Sequence, residues 1–137
     1  MAIDVRLLTE LNLAVQLILI LVLLIAFRLV RAKDFKKHCT VMRIAVPIQI
    51  LAVLGIMLPS MYGYEQNIST GHLFFLEISV HHVLGLGVLV LWVYINLVFM
   101  RLLNPLLKIR IAMRLALVFW AASMVLGLHL YFVAYLM

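Results

Sequence analysis

Four long apolar stretches, at about 8–27, 42–62, 73–100 and 111–136, constrain this chain more than any other feature. A helix needs about 20 mostly apolar residues to cross the hydrocarbon core of a bilayer, and each stretch meets that length. Almost nothing is left over for a soluble domain. With 68% hydrophobic and 12% charged residues, the 137-residue chain lacks the polar surface that a soluble fold carries. The expectation is an all-α integral membrane protein: a four-helix bundle forming a single transmembrane domain over 1–137, with helices at about 7–31, 39–62, 73–102 and 109–136.

Charge gives this architecture a direction. Arg28, Arg31, Lys33, Lys36, Lys37 and Arg43 gather around the first turn, and Arg101, Lys108, Arg110 and Arg114 around the third, with Arg6 alone elsewhere. Loops rich in Lys and Arg stay in the cytoplasm, which places both termini outside a multi-pass protein of the cell membrane. The net charge of +6 therefore speaks for orientation and against nucleic acid as a partner. Asp4, Glu10, Glu65 and Glu77 fall on the outer side and Asp34 on the inner, while Tyr62, Tyr64, Tyr131 and Tyr135 fall near the outer headgroup zone. The polar stretch 63–71 reads as an outer loop, and its Asn67-Ile68-Ser69 matches a glycosylation acceptor. Pro47 should bend or weaken the first turns of the second helix, and Pro59 and Pro105 suit helix ends.

Exclusions narrow the chemistry. Cys39 is alone, so no intrachain disulfide, multi-cysteine zinc site or covalent haem attachment is available. The N-terminus lacks the cationic start and cleavage site of a signal peptide and reads as a retained helix. No Ser-His-Asp set, phosphate-binding glycine loop or paired intramembrane carboxylates occur, so hydrolase and kinase readings fall away and an enzyme is disfavoured.

Ionisable groups inside a crossing are expensive and count as functional candidates, which directs attention to His38, His72, His81, His82 and His129. His81 lies eight residues into the third apolar stretch and His129 eight residues before Met137, at the end of the fourth helix. Each is roughly 12 Å deep from the same face. Two neutral imidazoles at one level are what the two axial positions of a b-type haem require. Glu77, His81, Gly85, Trp92 and Asn96 share a stripe of the third helix, whereas His82 is rotated away and is the poorer ligand. Gly85 and Gly87, with Ala121, Ala122, Ser123 and Gly127 opposite, open room for a porphyrin edge or for close helix packing. The competing reading is that each imidazole bonds a partner such as Glu77, Gln16 or Asn12. A directly packed helix pair, with axes about 8 to 10 Å apart, is also narrow for a porphyrin. His38, with Met42 or Met113 as a sulfur partner and Arg43 and Arg110 for propionates, forms a lesser inner candidate. His72 with His81 and Met61 forms a copper or zinc alternative.

Several short matches extend this reading. Lys37-His38 followed by Met42, His81-His82-Val83-Leu84-Gly85, and Arg110-Ile111-Ala112 with Trp120 and Gly127 resemble the small four-helix membrane proteins of domain-of-unknown-function family 420, over about 33–137. A weaker similarity is to b-type membrane cytochromes. The family resemblance implies a link to assembly of haem-copper respiratory oxidases and to other respiratory-chain membrane proteins as partners. Family members carry a histidine just before the Arg-Ile-Ala run, where this chain has Lys108-Ile109, and another near the outer end of the second helix, where it has Met61-Tyr62-Gly63. His129 is an addition that restores an outer pair with His81. The expectation is a b-type haem protein of electron transfer or oxidase biogenesis, held by His81 and His129. The alternatives are a non-redox membrane subunit or assembly factor, and a copper-handling protein.

Overall fold

The computed structural model describes residues 4–59 and 72–136, and among these every regular element is helical. Helix α1 spans Val5–Arg31 and α2 Phe35–Ala52, followed directly by a single π-helical turn, Val53–Met57. Helix α3 spans His72–Phe99 and α4 Ile109–Tyr135. The spans Arg6–Arg31, Phe35–Met57, Leu73–Phe99 and Ile109–Tyr135 are each long and apolar enough to cross a membrane. In lipid the backbone must satisfy its own hydrogen bonds, and a continuous helix does so within one segment. Large apolar side chains such as Leu21, Leu51, Leu86 and Val125 are exposed along these helices, as lipid contact requires.

The chain divides into two compact units, Met1–Ile68 and Ser69–Met137. In the first, α1 and α2 form a hairpin. Asp4 caps α1 by accepting the Leu7 N–H at 3.1 Å. At the other end Lys33 adopts a left-handed φ of 60°. Its N–H donates to Val30 O and the Asp34 N–H to Leu29 O, both at 3.0 Å, which spends two of the carbonyls that a helix end leaves free. Asp34 then caps α2 by accepting the Lys37 N–H at 3.2 Å, and it pairs with Lys37 Nζ at 3.1 Å. These bonds hold the Asp34 carboxyl below its ordinary pKa, the Lys37 backbone N–H contributing most. Because Asp34 acts as this cap, α2 begins at Phe35 instead of the expected 39, and His38 lies in its first turn. The helix runs through Pro47 without a break, and the local irregularity falls later, at the π turn.

The hairpin interior is built from small and slender groups, Leu19 and Ala26 on α1 and Ala45, Val46 and Ala52 on α2. Across it Gln16 Nε2 donates to Gln49 Oε1 at 3.0 Å and makes a longer contact of 3.4 Å to Asn12 Oδ1. The glutamines are only 6% and 7% exposed, so their mutual bond replaces the water that neither can reach.

In the second unit α3 and α4 form the other hairpin, with Val88, Trp92 and Ile95 of α3 and Ala112 and Ala116 of α4 buried. Helix α3 ends at Phe99, short of the expected 102, because Arg101 takes a left-handed φ of 59°. The Arg101 N–H donates to Val98 O and the Leu102 N–H to Leu97 O, the same closure as at Lys33. The Tyr94 hydroxyl then pins the connecting loop, accepting the Leu107 N–H at 2.9 Å and donating to Leu107 O at 3.2 Å. The expected outer loop at 63–71, with Tyr62, Tyr64, Glu65 and the Asn67 motif, lies outside the described residues, as does the expected helix end at 62.

Candidate histidine site

The second hairpin owes its register to glycine. A Cβ on Gly127 would lie 2.9 Å from His81 Cε1, and one on Gly87 would lie 2.9 Å from a ring carbon of Phe119. Only a bare α-carbon admits these rings. A Cβ on Gly85 would meet Ser123 Oγ at 3.8 Å, an ordinary contact. The pairs Gly87/Phe119, Gly85/Ser123, His81/Gly127 and Glu77/His129 follow one another up the antiparallel hairpin.

The His81 imidazole thus packs on the bare face of α4 at Gly127, and its Nδ1 lies 2.8 Å from the Ser123 carbonyl oxygen. A carbonyl only accepts, so Nδ1 carries a proton and the neutral ring keeps its lone pair on Nε2. The Ser123 hydroxyl, 3.3 Å from the same Nδ1, has the His81 carbonyl within 3.4 Å as its acceptor. His129 Nδ1 meets Glu77 Oε2 at 3.1 Å, with the two side chains 55% and 37% exposed. His82 turns its Nδ1 to Ile78 O of its own helix at 2.7 Å, and its ring stands edge-on to that of His81 with centroids 5.4 Å apart. In the first hairpin His38 Nδ1 donates to Ala26 O at 2.9 Å.

All four histidines whose side chains are described therefore anchor through Nδ1, three on backbone carbonyls and one on a carboxylate, and none has a partner at Nε2 among the described residues. A metal-ligating histidine is held in this way, by a bond at the nitrogen that does not ligate. The donor atoms fit haem iron or a transition metal. The space between α3 and α4 does not fit a porphyrin, because Gly127, Gly85 and Gly87 are met directly by His81, Ser123 and Phe119. A porphyrin held by His81 would have to lie outside the α3–α4 interface.

The expected common depth of His81 and His129 is offset, since the partner of His129 is Glu77, one helical turn along α3 from His81. Glu77 is one of the bonding partners the sequence suggested. Ser123 was legible only as a small residue, because the acceptor it supplies to His81 is a carbonyl that every residue carries. Arg43 is exposed on α2 and Arg110 is exposed near the start of α4. His72 opens α3 with a side chain outside the described ones, and Met61 lies outside the described residues. Among the described residues no three His, Cys, Asp or Glu side chains converge as a metal-binding group. The buried Trp120 Nε1, one turn before Ser123 on α4, has no hydrogen-bond partner among the described residues. Comparison with known proteins finds no matching family model, no similar curated protein and no similar solved structure.

Proposed function

We propose that this multi-pass protein lies in the cell membrane with both termini outside, and that its second hairpin presents His81 and His129 to a haem b that serves electron transfer or respiratory oxidase biogenesis. The observation that carries this reading is the pairing, at both residues, of an anchored Nδ1 with an Nε2 that has no partner among the described residues. The backbone carbonyl of Ser123 and the carboxylate of Glu77 orient the rings and raise the basicity of the ligating nitrogens. Bound haem supplies one-electron chemistry, and the chain's own contribution is the orientation and apolar shielding of the ligand. The resemblance to family 420 points to the same class of partner, other respiratory-chain membrane proteins.

A second reading has its own observation. His81 packs on Gly127 and both Nδ1 bonds cross from one helix to the other, so the histidines also serve as fastenings of a non-redox subunit or assembly factor. Absorption spectra of the detergent-purified protein, oxidised and dithionite-reduced, separate the two. The haem reading expects a reduced b-type spectrum that is lost or shifted in His81→Ala and His129→Ala. A colourless protein after expression with ample haem sinks it. Copper in that colourless protein, lost with the same substitutions, would favour the copper-handling alternative.

A further inference from the structure

The connection between α3 and α4 forms a cleft of about 710 Å³ whose walls include Pro105, Leu106, Leu107, Lys108, Arg110 and Arg114. Three observations make it unusual. Lys108, Arg110 and Arg114 have no carboxylate partner among the described residues, where the ion pairs are Arg6 with Glu10, Lys37 with Asp34 and His129 with Glu77. Arg110 and Arg114 stand four residues apart on one helix face, and like charges at that spacing repel. They also stand in the opening turns of α4, where the helix dipole disfavours cations and no acidic residue offsets them. A bound anion would turn all of these unfavourable placements into favourable ones.

The shape of the cleft says which anion. Leu106 is 91% exposed, and Leu102, Leu103 and Leu107 beside it are also exposed, at the edge of the span Ile109–Tyr135. A free phosphate has no use for this leucine apron, whereas a phospholipid lays its acyl chains on it while its phosphate meets the cations. The loop is also built in advance, because both backbone groups of Leu107 are fastened to the Tyr94 hydroxyl. We propose that this cleft is a binding site for an anionic phospholipid, with Lys108, Arg110 and Arg114 engaging the headgroup phosphate and Tyr94 holding the loop in position.

The test is a lipid titration of the full-length protein in detergent, read by native mass spectrometry, with phosphatidylglycerol and phosphatidylcholine as separate probes and inorganic phosphate as competitor. The expected result is preferential retention of phosphatidylglycerol that millimolar phosphate does not reverse. Arg110→Gln with Arg114→Gln should weaken it on the order of 10- to 30-fold, while Arg28→Gln with Arg31→Gln leaves it nearly unchanged. Equal retention of the two lipids, displacement by inorganic phosphate, or undiminished binding in the Arg110 and Arg114 variant overturns the proposal. If that variant does not remain monodisperse, Tyr94→Phe decides. It keeps every charge and frees the loop, so a several-fold loss supports the cleft and wild-type affinity overturns it.

Discussion

The two hairpins solve the same problem, holding two apolar helices together in lipid, with one shared polar device, an imidazole on a main-chain carbonyl across the helix pair (His38 on Ala26, His81 on Ser123), and with others of their own. In the first, neutral amides of Gln16 and Gln49 bond to each other across α1 and α2. In the second, imidazoles bond to a backbone carbonyl and a carboxylate across α3 and α4, and one of them packs on a glycine. The amide pair meets its need inside the hairpin, whereas each imidazole satisfies one nitrogen and leaves Nε2 without a partner among the described residues. Lipid itself gives helices no hydrophobic reason to associate, so such devices and close packing decide the pairing. The second hairpin therefore carries both the tighter steric constraint and the greater capacity for chemistry.

Substitution at glycine should separate the hairpins most sharply. Gly127→Leu places bulk where His81 lies and should destabilise the second hairpin by about 3 kcal/mol, seen as a lower thermal midpoint in detergent. Gly55→Ala in the first, where a Cβ would meet nothing within 4 Å, should change stability by no more than about 0.5 kcal/mol. Equal losses at both positions would erase the proposed contrast. Next in size is the amide pair, where Gln49→Leu leaves the buried Gln16 only its long contact to Asn12 and should cost about 1–2 kcal/mol. The double variant Gln16→Leu with Gln49→Leu should recover most of that loss in the same assay, and its failure to do so would mean that the pair does more than satisfy itself.

A double-mutant cycle of His129→Ala and Glu77→Gln should give a coupling below about 1 kcal/mol, because both side chains are partly exposed. A larger coupling would move the pair toward the structural role of the glutamines. The smallest effect belongs to Asp34. Its folded pKa is depressed chiefly by the Lys37 N–H, so its contribution is fully present above the unfolded pKa and is lost as pH falls through the folded value. In acid, amide exchange at the start of α2 should therefore accelerate more in wild type than in Asp34→Asn, which keeps a cap but does not titrate. Parallel pH profiles would remove Asp34 from the account of the first turn.

Much of the helical layout was legible residue by residue, because apolar length and the positions of Lys and Arg are local properties of the chain. The boundaries shifted where a cap intervened. Asp34 drew Phe35 to His38 into α2, and Lys33 and Arg101 entered the left-handed conformation that glycine usually marks, so neither turn carried its ordinary signal. The histidines were legible as candidates, and Glu77 as a partner for one of them. That His81 would settle on Gly127, one turn out of register with the partner of His129, was not.

The sequence by itself determined an all-α chain with four membrane-spanning helices, since transfer of about 20 apolar residues into hydrocarbon is a sum over residues and needs no knowledge of neighbours. Tertiary structure decided which atoms meet. The antiparallel register of α3 and α4 depends on bulk fitting against bare backbone at Gly87 and Gly127. The acceptors that orient His38 and His81 are main-chain carbonyls, identical at every position and visible only once the helices are packed.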